Sequence, residues 1–280
     1  MNTRGRRRIG VVGYGELGQY LVKAIQESEN LELSFVWNRT SSVLNGKIDE
    51  ALILKDLSNF PKLKPDLIVE VAHPSITCQY GTEFLKHADF MMGSPTALAD
   101  KELENILRTA AVSRGLYLPS GAFWGGEDVR KMADLGTLKA LCVTMKKHPS
   151  SLKLIGDLRA RNEAVVGDNA VELYNGPVRQ LCPLAPNNVN TMALAALAAH
   201  NLGFDGVQCK LVADPKLTDW HIVEVEVWGP GDISTGTAFH CHTIRRNPAQ
   251  IGKVTGSATY SSFFSSMTRA CGKGHGVHLC

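Results

Sequence analysis

The 280-residue chain is 44% hydrophobic and 20% charged, a globular balance that excludes wholesale disorder. Its 30 basic and 27 acidic side chains leave a net charge of +3, too weak for the electrostatic footprint of a nucleic-acid binder. The seven cysteines (Cys78, Cys142, Cys182, Cys209, Cys241, Cys271 and Cys280) form no C-x-x-C pair, which argues against a zinc ribbon or a thioredoxin-type motif. Together with the absence of a signal-peptide pattern, they predict free thiols in the reducing cytoplasm. The longest apolar stretch, Met192 to Ala199, falls short of the roughly 18 residues of a membrane helix.

Arg4, Arg6, Arg7 and Arg8 read as a solvated lead-in to the first strand rather than a transit peptide. Ile9, Val11 and Val12 begin an apolar run, Leu17 to Ile25 has helical period, and Leu31 to Trp37 is again apolar and β-rich. Strand, turn, helix and strand within about 30 residues is the length of a βαβ unit. Strand-like Asp66–Ala72, helical Ile76–His87, strand-like Phe90–Met92, helical Asp100–Arg114 and strand-like Leu116–Leu118 continue the alternation. The fold class expected is α/β: a Rossmann-type, doubly wound parallel sheet over residues 1–120.

After Gly126 the pattern changes. Leu138–Met145, Val207–Ala213, Trp220–Trp228 and Thr235–Ile244 alternate with period two, predicting an α+β unit over 121–245 with a mostly antiparallel sheet. An Ala-rich helix, Thr191–Leu202, interrupts it, with Asn188 or Asn190 as a suitable N-cap. Residues 246–270 are expected to form a C-terminal helix returning to the first unit, and 271–280 a frayed tail.

Gly13-Tyr14-Gly15-Glu16-Leu17-Gly18 matches G-x-G-x-x-G in the context the motif requires, after a strand and opening a helix. The first glycine permits a tight turn, the second lets backbone approach a pyrophosphate, and the third allows close helix–strand packing. The second strand ends in Trp37-Asn38-Arg39-Thr40, without the acidic residue that usually holds an NAD ribose. Asn38 can bond a ribose hydroxyl, and Arg39 can pair with a 2′-phosphate, which favours NADP over NAD.

Several segments, taken together, resemble the L-aspartate dehydrogenase family. They are Val69-Glu70-Val71-Ala72 with Pro74, Ala97-Leu98-Ala99-Asp100, Pro119-Ser120-Gly121-Ala122 with Gly125-Gly126, Asn188-Val189-Asn190, Leu211 to Pro215, and His221 opening a Val/Glu strand. Asn247-Pro248 falls where that family's final helix begins. The resemblance implies NAD(P)-dependent oxidative deamination of L-aspartate to iminoaspartate, which water converts to oxaloacetate and ammonia. It places Ala72, Ala122 and Asn190 at the cofactor and makes His221 the catalytic residue.

By its pattern alone, His221 shares a face with Val223, Val225 and Val227 and equally suits a buried core histidine. Its position at the start of the strand and its near-neutral intrinsic pKa suit proton exchange. A dianionic substrate needs placed cations; Lys147, beside Lys146 at a strand end, is one candidate, and Ser120 offers a hydroxyl. His240-Cys241-His242 lacks a third ligand at metal-binding spacing, so no metal site is expected. The alternatives are a two-domain dehydrogenase with another small substrate and a non-catalytic NADP-binding sensor or scaffold on the same fold. Glucose–fructose oxidoreductase-type enzymes usually carry Glu-Lys-Pro where Ser94-Pro95-Thr96 stands here. A homodimer is expected because an exposed sheet often pairs with its symmetry mate.

Overall fold

The computed structural model describes residues 5–280, so Arg4 of the expected lead-in lies outside the described residues. The first unit runs β1 (Arg7–Val12), α1 (Glu16–Gln26), β2 (Leu31–Trp37), β3 (Leu67–Glu70), α2 (Pro74–His87), β4 (Asp89–Met92), α3 (Lys101–Ala110) and β5 (Gly115–Leu118). The chain crosses through α4 (Gly126–Asp134) into β6 (Ala140–Lys147), α5 (Gly156–Glu163), β7 (Val171–Pro177) and the single turn α6 (Val178–Leu181). Next come α7 (Asn190–Ala198), the single turn α8 (Gly203–Gly206), β8 (Gln208–Ala213), β9 (Trp220–Trp228) and β10 (His240–Pro248). Helix α9 (Ala258–Arg269) and β11 (Gly276–Leu279) bring it back to the first sheet.

The first sheet has the order β11-β5-β4-β3-β1-β2 with every pairing parallel. Ile9, Val11, Leu67 and Val69 pack under α1 and α9 against Leu21, Ile25, Phe263 and Met267. Val12, Ile68 and Phe90 turn the other way, into a core with Phe60, Phe84 and Leu107. Both faces are covered, so these strands are apolar throughout instead of alternating. Arg7 and Arg8 belong to β1 rather than to a solvated lead-in. The Arg7 guanidinium meets Asp89 at 3.1 Å, and the Arg8 backbone N–H donates to Asp66 at 2.7 Å.

The second sheet has the order β10-β9-β6-β8-β7. It is mixed: β10–β9, β9–β6 and β8–β7 are antiparallel, whereas β6–β8 is parallel. Strand β9 occupies the span expected from the alternation. Strand β10 begins only at His240, because the Asp232 carboxylate and carbonyl gather the backbone of Ser234, Thr237 and Ala238 into a turn. Strand β7 escapes the pattern because its Asn-Gly-Pro end masks it, a composition suited to an edge. Helix α7 is apolar on all sides and buried from Thr191 to Ala198, forming the centre of this unit.

Two expectations about the C-terminus are corrected. Asn247-Pro248 closes β10, and the final helix starts only at Ala258. Residues 276–279 are a strand, not a frayed tail: β11 pairs with β5 from Gly276–Gly115 to Leu279–Leu118. Strand β5 would otherwise expose an unpaired edge, and Val277 and Leu279 bury apolar surface against the core as they cover it.

Candidate active site

The carboxyl ends of the parallel strands open onto a crevice, the position where open α/β sheets bind ligands. Here Gly13 has φ +112°, a conformation that strongly favours glycine, and a Cβ on it would lie 2.8 Å from the Val71 backbone. A Cβ on Gly18 would lie 2.1 Å from the Gly13 carbonyl oxygen, so the α1–β1 approach demands glycine. Gly15, the residue before α1, faces open space with no atom within 4 Å of a Cβ. Helix α1 has no side-chain cap, leaving its first N–H groups directed at that space. The glycines keep side chains away from the start of α1, leaving room there for a pyrophosphate.

Asn38 contributes first to the architecture of this loop. Its Oδ1 accepts the Tyr14 backbone N–H at 3.1 Å, and its Nδ2 donates to the Thr40 carbonyl at 3.0 Å. Arg39 beside it is exposed and, among the described residues, pairs with no carboxylate. Ala72 is exposed at the end of β3, directly beside Gly13.

The buried Glu70 sits behind these loops, an organising role that sequence reasoning did not assign to it. Its carboxylate accepts the backbone N–H groups of Ala72 (2.7 Å), His73 (2.9 Å) and Ser94 (3.1 Å), and the Ser94 hydroxyl at 3.1 Å. Burial pushes its pKa up to about 7, while these donors pull the other way. One side chain therefore ties together the turns that follow β3 and β4.

The opposite wall comes from the second sheet. Asn247 of β10 lies directly opposite His221 of β9, and Lys147 falls one step beyond the Lys146–Ile222 pair of β6 and β9. Lys147, His221 and Asn247 thus form one row across three neighbouring strands, on the inward face. All three are buried, at 4%, 4% and 3% exposure, and all line the crevice. The Lys147 ammonium donates to the Val254 carbonyl at 2.9 Å, and desolvation lowers its pKa to about 8. His221 Nε2 and Asn247 Oδ1 have no protein partner. Desolvation, and then the Lys147 charge, lower the His221 pKa to about 4, while a hydrogen bond to the Lys253 backbone opposes them. The imidazole is neutral near pH 7 and has an accepting nitrogen available.

Strand alternation decides which lysine enters the site. Lys146 points to the other face and pairs with Glu224 at 2.6 Å, so Lys147 alone of the two reaches the crevice. The imidazoles of His240 and His242 lie 3.7 Å from Glu226 and Glu224 respectively, and His240 stacks on Trp228. No cluster of three metal-ligating side chains occurs among the described residues.

Asn190 is the first residue of α7, not its cap. Val189 occupies the cap position, and the buried Asn190 Oδ1 is unpartnered at the crevice. Asn188 does not cap either, because its amide bridges the Lys153 N–H and the Ser151 carbonyl. Ala122 lines the crevice within the turn Pro119–Ala122. Ser120 lines it too, but its hydroxyl proton is committed to the Cys280 carbonyl at 2.7 Å. In this arrangement the Ser120 hydroxyl presents an acceptor oxygen to the crevice.

Asn247, Val254, Thr255 and Thr259 also line the crevice and were not anticipated. Asn247 had entered only as the expected start of the final helix, and Val254, Thr255 and Thr259 lie in a stretch rich in Ser, Gly and Thr. The crevice is open to solvent and holds about 120 Å³, with Leu17 of the glycine loop and His221 both in its lining.

This combination is that of a Rossmann-type oxidoreductase: a glycine turn opening the first helix, beside the buried polar row Lys147, His221 and Asn247 on a second sheet. Comparisons with known proteins support that class and narrow it. Residues 13–119 match the family described as homoserine dehydrogenase, NAD binding domain, and residues 128–266 match aspartate dehydrogenase, C-terminal. An aspartate dehydrogenase domain-containing protein of Xenopus tropicalis is 55% identical over 285 aligned residues, covering 100% of both chains. An L-aspartate dehydrogenase of Methanocella arvoryzae is 27% identical, covering 94% of this chain and 97% of its own. The crystal structure of aspartate dehydrogenase from Thermotoga maritima superposes with a TM-score of 0.68 at 19% identity, covering 94% of each chain. The chain belongs to the aspartate dehydrogenase family.

Proposed function

We propose that the protein catalyses the NAD(P)-dependent oxidative deamination of L-aspartate, giving iminoaspartate that water converts to oxaloacetate and ammonia. The observation that carries this reading is the buried row Lys147–His221–Asn247, which lines one crevice together with Leu17 of the glycine loop. The bound nicotinamide supplies the redox chemistry by accepting a hydride from the substrate Cα.

The residues divide that work. Gly13, Gly15 and Gly18, with the backbone N–H groups of Glu16 and Leu17, hold the pyrophosphate. Asn38 and Arg39 receive the adenosine ribose, and the exposed Arg39 with no acid beside it favours NADP over NAD. Ala72 and Ala122 would leave room beside a dinucleotide, and Asn190, whose buried Oδ1 has no protein partner, would help to hold its nicotinamide end. Lys147 holds a substrate carboxylate. Neutral His221 takes a proton at Nε2 from the amine or from the hydrolytic water. A carboxylate beside Lys147 offsets the positive field that depresses the His221 pKa, so substrate binding makes the base stronger.

The same reading includes a homodimer formed through the outer face of the second sheet, where Ile244 is 54% exposed. It also includes a reducing, cytoplasmic setting that keeps all seven cysteines free. Among the described residues, no helix is long and apolar enough to cross a membrane.

The test is to mix the protein with L-aspartate and NAD or NADP and follow absorbance at the reduced-nicotinamide band. Turnover is expected, and His221→Ala should lower it by about 10²–10⁴-fold with dinucleotide affinity intact. Tight dinucleotide binding without turnover would instead identify a sensor, and full activity in His221→Ala would overturn the catalytic role.

A further inference from the structure

The crevice is roofed by residues 249–256, a loop of the Ω type whose ends are tied by the Ser257 N–H donating to the Pro248 carbonyl at 3.1 Å. On its inner side, the Lys147 ammonium holds the Val254 carbonyl and the Gly252 N–H donates to Ser151 Oγ at 3.1 Å. Val254, Thr255 and Gly256 form part of the crevice wall. On its outer side lies a groove of about 500 Å³ lined by Glu16, Trp220, Gln250, Lys253 and Tyr260, among others. The strap therefore stands between two spaces, with room to move outward.

What pins it across the glycine loop is a single carboxylate. Glu16 opens α1 immediately after Gly15, and it pairs through Oε1 with the Lys253 ammonium. Its Oε2 accepts the Tyr260 hydroxyl at 2.9 Å, while the Tyr260 ring packs on Tyr20 of α1 with centroids 5.6 Å apart. The Lys253 contact is the leading cause of the lowered Glu16 pKa. This arrangement opposes a bound dinucleotide, because a carboxylate at the first turn of α1 places a negative charge where the proposed pyrophosphate would bring two more.

We propose that Glu16 and Lys253 form a latch that holds the 249–256 strap over the crevice, and that a dinucleotide pyrophosphate opens it by taking Lys253 from Glu16. This rests on the dinucleotide reading above. An ammonium on a flexible stem, with three donors, can exchange one carboxylate for a doubly charged diester without rebuilding its surroundings. Glu16 then acts against binding through its side chain, although its backbone N–H is part of the cradle. As Lys253 leaves, the Val254 carbonyl on the next residue is drawn away from Lys147, freeing that ammonium for a substrate carboxylate. Cofactor and substrate binding are thereby coupled in that order.

The test uses the full chain and fluorescence titration with NADPH, alongside ADP-ribose as a probe that keeps the pyrophosphate but lacks nicotinamide. Lys253→Gln should weaken both by about ten-fold, the scale of one charge-assisted hydrogen bond, and Lys253→Arg should restore most of the loss. Glu16→Gln should tighten both several-fold, and without ligand it should speed tryptic cleavage after Lys253 by freeing the strap. Unchanged affinity in Lys253→Gln, or weaker binding in Glu16→Gln, would overturn the latch while leaving the dinucleotide reading in place. A wild-type chain that binds neither probe would overturn both.

Discussion

The two walls of the crevice are built on different principles. The glycine wall is made of backbone: Gly13 and Gly18 are there because no side chain fits, and Gly15 leaves the space before α1 clear. The facing wall is made of buried polar side chains, and it keeps His221 Nε2 and Asn247 Oδ1 without protein partners and Lys147 in a dry environment. Backbone groups at a helix start remain ready for an anion at little cost to the fold, whereas each unpaired buried polar atom costs about 1–3 kcal/mol. One wall is therefore set by steric exclusion and the other by tolerated instability.

Substitutions can break or sharpen this contrast. The largest effect is expected from Gly18→Ala. With its Cβ placed 2.1 Å from the Gly13 carbonyl, β1 and α1 must separate, costing about 3 kcal/mol or more and abolishing dinucleotide binding. A denaturation midpoint equal to that of wild type would show that the close approach is not required.

Lys147→Met should have the opposite sign. Burial lowers the Lys147 pKa from 10.5 to about 8, so between those values the unfolded chain binds more protons than the folded one. Wild-type stability should consequently rise with pH across that window. The methionine variant should be more stable by about 1–3 kcal/mol at pH 7, with the gain shrinking as pH rises, yet fail to bind a dicarboxylate such as succinate. Urea midpoints measured from pH 7 to 10.5 check the sign, and loss of stability at pH 7 would refute it.

The smallest change in stability is expected from Gly15→Ala. Its φ of −71° suits alanine and nothing lies within 4 Å of the new Cβ, so the fold should change by no more than about 0.5 kcal/mol. The methyl would nevertheless stand where the pyrophosphate approaches, so NADPH titration should show a clear loss of affinity. Unaltered affinity would argue that the space in front of Gly15 has another use.

Legibility followed the same division. The βαβ series was readable because apolar period and turn residues are local, and the span of β9 was readable because its alternation is unbroken. Strand β7 and β11 were not, because glycine and proline mark turns and tails more often than strands, and because β11 exists only by pairing with β5. Glu70 looked like one letter of a motif, since nothing in its neighbourhood along the chain says that a turn 24 residues further on will converge on it. Nor does the chain around Ser120 reveal that a carbonyl 160 residues away accepts its hydroxyl proton.

By itself the sequence determined the parallel nucleotide-binding sheet, the glycine cradle and the membership of His221 in an inward-facing strand row, because positive φ, missing Cβ atoms and side-chain alternation are properties of short segments. Tertiary structure alone decided that Lys147 and Asn247 flank His221, that Glu70 ties two turns together, and that residues 249–256 roof the crevice. Those relations depend on strand register and loop closure between distant segments, and no local pattern in the chain encodes the distance between them.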